Sequence, residues 1–162
     1  MQSFQNTGER FKVLRLIILL LLVSLVFGLI FFGYQGAFSR LMADDYCYAA
    51  KGRDLGLFQG FWNIYTTWSG RYSSILLILA TEPLVEWLVK VMPTILLLVW
   101  LGSLILLVIN IQNIFLEKLP HWFGWTLAAL VLYLTILIAP NRFQILYWLN
   151  GSITYTLPLI CL

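Results

Sequence analysis

The chain has 162 residues, of which 61% are hydrophobic and only 10% charged, against about 25% charged in an average soluble domain. This composition excludes an ordinary soluble domain. It points to an all-α integral membrane protein built on spans of roughly 20 apolar residues. The formal charge of +3 is scattered, with no Lys/Arg run and no Gly-rich phosphate loop, which argues against nucleic acid as a partner. Cys47, Cys161 and the lone His121 lack metal-ligand spacing, so no metal site is read from the sequence.

In chain order, residues 1–12 form a polar tail. Arg10, Lys12 and Arg15 lie at the start of the first span, which favours a cytoplasmic N-terminus. Residues 13–33 read as a membrane helix, with 18 uncharged residues from Leu16 to Gly33. Ala37-Phe38-Ser39 makes a poor cleavage site, so this helix is read as uncleaved. Residues 34–91 read as a long external loop rich in charge and aromatics. Within it, Leu55, Phe58, Phe61, Trp62 and Tyr65 recur at helical steps, which predicts an amphipathic helix lying at the membrane surface.

Ser73 to Lys90 admits two readings. It is either a poor span, or a helix ending near Thr81 followed by a short interfacial helix with Pro83 in its first turn. The topology taken here keeps it at the interface. Residues 92–114 then form a span, 115–121 a cytoplasmic turn containing Glu117 and Lys118, and 122–140 another span. Residues 141–153 form a second external loop, and 154–162 the start of a truncated span, so the sequence reads as the N-terminal part of a longer protein or as a truncated gene product. This topology leaves more basic residues outside than inside, against the usual bias. An external loop that binds an anion accounts for them.

The chain has seven acids, and two of them, Asp44 and Asp45, are neighbours just past the first span. Adjacent carboxylates repel and resist burial, so such a pair near lipid marks a candidate site. The plainer readings are helix capping for the acids, a turn with a snorkelling Arg at Gly70-Arg71, and an aromatic belt for Trp148 and Tyr155. Asn150-Gly151-Ser152 matches a glycosylation sequon, but Asn-Gly is also a turn signal. Glu82, Glu86 and Lys90 read as a solvated helix face, with Glu86 and Lys90 as an i,i+4 pair.

Three motifs occur in order: Asp44-Asp45-Tyr46, then Trp68-Ser69-Gly70-Arg71, then Tyr147-Trp148-Leu149-Asn150-Gly151-Ser152-Ile153-Thr154-Tyr155. In this arrangement the chain resembles the N-terminal module of GT-C superfamily membrane glycosyltransferases. It is most similar to a bacterial membrane family of that type carrying an acidic pair, a Gly-Arg and a Trp-x-x-Gly. The resemblance covers nearly the whole chain. It implies a GT-C-like set of transmembrane helices with a long external loop, in the bacterial inner membrane. It also implies transfer of a sugar from a polyprenyl-phosphate-linked donor to a glycan, lipid or protein acceptor on the outer face. Asp44 or Asp45 would be the base, and Arg71 or Arg142 would hold the lipid phosphate. Tyr46, Trp148, Asn150 and Tyr155 would bind substrate. No cofactor is implied; adjacent acids leave a divalent metal open without requiring one. The rival class is a non-catalytic small membrane subunit or lipid-phosphate-binding protein.

Overall fold

A computed structural model of the chain describes residues 2–115 and 119–161, with side chains from residue 9 onward. The described residues form helices joined by short turns, without strands. Among the described residues, three segments are long and apolar enough to cross a membrane: Glu9–Gly36, Glu82–Phe115 and His121–Ile138. The first lies in α1 (Gln2–Gly36), which outruns the expected 13–33 because the polar residues before it continue the helix. Glu117 and Lys118, in the expected turn at 115–121, lie outside the described residues, as does Leu162.

The segment between the first two spans, read as an external loop carrying interfacial helices, is mostly helix. After α1 come α2 (Asp44–Thr67) and α3 (Tyr72–Ala80), then a 3₁₀ turn (Glu82–Leu84) and α4 (Val85–Phe115). With nine residues, α3 is less than half of a membrane crossing. α4 begins well before the expected residue 92, because Pro93 sits inside the helix and does not open it. Beyond α5 (His121–Ile138), the expected loop 141–153 holds α6 (Arg142–Leu146) and α7 (Leu149–Gly151). A π-helical turn (Ser152–Thr156) and α8 (Leu157–Cys161) then continue from α7. A π-helical turn is uncommon and frequently marks a functional site.

The chain forms two compact units: Met1–Phe31 with Leu98–Ala139, and Phe32–Leu97 with Pro140–Leu162. In the first, Leu25, Leu29, Ala128, Ala129, Leu132 and Ile136 are buried. Gly28 admits the ring of Tyr133, whose nearest carbon would lie 2.7 Å from an added Cβ.

The second unit carries all three motifs. α2 breaks at Gly56, with φ 73° and ψ 176°, a backbone region open essentially to glycine alone. Residues 44–55 and 57–67 therefore fold back on each other. Gly60 permits the approach, since a Cβ there would lie 3.1 Å from the Lys51 carbonyl. Lys51 Nζ donates to Asn63 Oδ1 across the fold at 2.7 Å. Ile64, Ile75, Ile78 and Leu79 fill the space between α2 and α3. Arg53 Nε reaches Glu82 Oε1 at 3.2 Å, so Glu82 has a partner from α2; the Glu86–Lys90 pair expected from spacing is not formed.

The end of α1 is fully accounted for. An α-helix leaves its last four carbonyls without helical partners. Here Thr94 Oγ1 donates to the Gly33 carbonyl, and the Ala37, Phe38 and Ser39 amides donate to those of Tyr34, Gln35 and Gly36. Gly36 also faces the ring of Pro93, where a Cβ would stand 2.8 Å away.

Candidate functional site

The acidic pair opens α2 behind a strained residue: Ala43 has φ 45° and ψ −115°, a conformation uncommon outside glycine. That turn lets Asp45 reach backwards. The Met42 amide donates to Asp45 Oδ2 at 3.1 Å, while the Asp45 amide donates to the Met42 carbonyl at 2.9 Å. The other carboxylate oxygen, Oδ1, accepts the Asn150 amide at 3.0 Å. Asp45 is 1% exposed. Burial pushes its carboxyl above the usual aspartate value; the Met42 and Asn150 amides oppose that, and the charge of Asp44 adds to it.

Asp44 differs. It is half-buried and makes no hydrogen bond or ion pair among the described residues. Both acids lie in the first turn of α2, where the helix dipole favours negative charge.

The second motif joins through Tyr48, one turn along α2. Its ring stacks on Trp68 with centroids 5.5 Å apart and planes 9° from parallel. Lys51 Nζ lies 5.8 Å from the Trp68 ring centre. The Tyr48 phenol is raised by burial, then by the charge of Asp44, and is lowered by Arg71. The free acid and the arginine therefore both act on one buried hydroxyl. Sequence reasoning missed Tyr48; its spacing of four from Asp44 and three from Asp45 on one helix was the available signal.

The third motif closes the cluster. The Arg71 guanidinium lies 5.5 Å from the centre of the Tyr155 ring, which stands on the π-helical turn. Trp148 lies across Gly151, where an added Cβ would be 2.8 Å from the indole and 2.5 Å from the Gln144 carbonyl. This is the physical reason for glycine three residues after the tryptophan. The Trp148 indole nitrogen is buried without a hydrogen-bond partner among the described residues. Asn150 contributes its backbone: its amide holds Asp45, while its side-chain Oδ1 accepts from Thr154 at 3.2 Å.

Asp44, Asp45, Arg71, Asn150 and Tyr155 thus belong to linked pieces of one unit. Tyr46 points outward, 59% exposed. Arg142 opens α6 and acts on Tyr147, with no bond to the acids. Among the described residues no group of three or more His, Cys, Asp or Glu side chains is placed to hold a metal. The cluster offers one free carboxylate, one arginine without an acid partner, and a buried phenol on which both charges act. Comparison of the chain with protein families, with characterised proteins and with solved structures finds no match.

Proposed function

We propose that this chain carries the N-terminal module of a glycosyltransferase of the GT-C type. It takes a sugar from a polyprenyl-phosphate-linked donor to a cell-envelope glycan, lipid or protein on the outer face of a bacterial inner membrane, with its N-terminus in the cytoplasm. The observation that carries this reading is the joining of three motifs far apart in sequence. Asp45 bonds the Asn150 amide, Tyr48 stacks on Trp68, and Arg71 lies over Tyr155. A structural loop has no need to bring an acid pair, a Gly-Arg and a Trp-x-x-Gly to one place.

In this reaction an acceptor hydroxyl oxygen attacks the anomeric carbon. The bond from that carbon to the phosphate oxygen breaks, and its electron pair leaves with the polyprenyl phosphate. The acceptor proton passes to a carboxylate, and the sugar configuration inverts. Asp44 fits the base, because its oxygens are uncommitted. Asp45 fits the fastener, because both of its oxygens are held by amides. Arg71 offsets the charge growing on the departing phosphate, for which a guanidinium fork is well shaped.

The test incubates the full chain in membranes with a synthetic polyprenyl-phosphate sugar and an envelope extract as acceptor source, and measures released polyprenyl phosphate. The wild type releases it and Asp44→Asn does not, at equal abundance. Equal turnover in both ends the assignment of Asp44. Lack of turnover by the wild type across a panel of sugars favours the second reading, a non-catalytic membrane subunit. That reading draws support from the full engagement of Asp45 in backbone bonds.

A further inference from the structure

A cleft separate from the acid cluster lies where α1 ends. Gln35, Phe38, Ser39, Phe143 and Tyr147 line it. Tyr147 Oη lies 2.9 Å from Gln35 Oε1 and 3.1 Å from the Phe32 carbonyl oxygen and shares its single proton between them, which fixes the α6 segment against the end of α1. With Gln35 Oε1 so engaged, the amide nitrogen of this lining residue remains as a donor.

Two arginines are chain neighbours of residues that line the cleft. Arg40 follows Ser39 directly and donates one N–H to the Ser39 carbonyl at 3.0 Å, leaving the rest of its five donors open. Arg142 precedes Phe143, and its charge acts on the Tyr147 phenol. Neither arginine is paired with a carboxylate; the ion pair among the described residues is Arg53 with Glu82. The carbonyls ending α1 are already taken by Thr94 and by backbone amides, so these cations are not needed there.

We propose that this cleft holds the phosphate of an anionic phospholipid headgroup, with Arg40 and Arg142 as its cations and Gln35 as an amide donor. The place in the fold selects a lipid over a free ion. The cleft opens at the end of the apolar span Glu9–Gly36, beside Tyr34 and Phe38, whose rings meet edge to face at 5.3 Å. Aromatic rings of this kind gather at the headgroup level of a bilayer, and juxtamembrane cations there attract anionic lipid. The inference does not depend on sugar transfer.

The experiment presents the full chain, in neutral detergent, with equal amounts of phosphatidylglycerol and phosphatidylcholine, and reads retained lipid by native mass spectrometry. Phosphatidylglycerol is expected to be favoured about thirtyfold, the ratio that two near-surface cationic contacts produce. Arg40→Gln with Arg142→Gln brings the ratio to about one, while Arg40→Lys with Arg142→Lys keeps most of it. Gln35→Glu preserves an acceptor for Tyr147 but sets a like charge beside the phosphate, and lowers the preference about tenfold. Arg10→Gln with Lys12→Gln removes equal charge elsewhere and leaves the ratio unchanged. Equal retention of the two lipids by the wild type overturns the proposal. So does an equal loss in the Arg10/Lys12 control, or an unaltered ratio in Gln35→Glu. Displacement of the lipid by inorganic phosphate would assign the cleft to the free ion and overturn the lipid reading.

Discussion

The Asn150 amide donates to Asp45 Oδ1 at 3.0 Å across 105 residues of sequence. That single bond fastens the first turn of α2 to the start of the α7–α8 segment. It works because Asp45 is simultaneously held from behind by Met42, which fixes the carboxylate plane before Asn150 arrives. The strained Ala43 makes this possible by turning the chain so that the side chain of the second acid, and not the first, faces inward.

Removing the Asp45 carboxylate therefore strands two amides. A buried donor left unsatisfied costs about 1–3 kcal/mol. Asp45→Ala is expected to lower the midpoint of thermal unfolding in detergent well below that of wild type. Asp45→Asn, which retains one acceptor oxygen, should fall between them. Asp44→Asn should change the midpoint little, since Asp44 has no partner to lose. An Asp44 variant as unstable as Asp45→Ala would reverse the assigned roles of the two acids.

The same carboxyl gives a signed pH effect. Its folded-state pKa is raised above the ordinary aspartate value of 3.8, so between those two values the folded chain binds more protons than the unfolded one. Stability then rises as pH falls through the raised value, and the gain is complete near the ordinary one. Other carboxylates titrate in the same region, so the measured quantity is the midpoint difference between wild type and Asp45→Asn. That difference should shift in favour of wild type on acidification. A shift in favour of the variant would show that the amide bonds outweigh burial.

The spans were legible because long uncharged runs leave little else for the chain to do. The start of α4 was not. The span was read from residue 92, whereas Pro93 lies inside the helix with its ring against Gly36, 57 positions earlier in the chain. A proline within a membrane helix is tolerated when neighbours accommodate it, and that accommodation is tertiary. The motifs were legible as residue types, but their partners were not. Asp45 is held by backbone amides, which every residue but proline carries, so no pattern of side chains could reveal Asn150 as the donor. The π-helical turn carrying Tyr155 left no compositional mark either.

The fold of α2 on itself depends on one residue. Gly56 has φ 73° and ψ 176°, and a side chain there costs about 1–3 kcal/mol, although no atom stands within 4 Å of an added Cβ. Gly56→Ala should therefore destabilise through the backbone alone. It should also loosen the pairing of residues 44–55 with 57–67, which the Tyr48–Trp68 stack and the Lys51–Asn63 bond join. Amide exchange around Lys51 and Asn63 should quicken in the variant. Unchanged exchange and an unchanged unfolding midpoint would show that the break does not require glycine.

Cys47 offers a direct reading of which membrane face carries the acid cluster. It is exposed on α2, two residues past Asp45. Under the proposed orientation, with the N-terminus inside and α2 outside, a membrane-impermeant thiol reagent should modify Cys47 in intact cells once Cys161 is replaced by serine. The exposure of Cys47 matters to the design, because a buried thiol would stay silent on either face. A cysteine placed at Lys118 should react only after lysis, since one apolar segment, Glu82–Phe115, separates it from α2. Labelling of Cys47 only after lysis would put the acid pair in the cytoplasm, where a donor delivered to the outer face cannot reach it. The proposed transfer would then fail on topology alone, while the Asp45–Asn150 bond and the lipid cleft would stand unaffected.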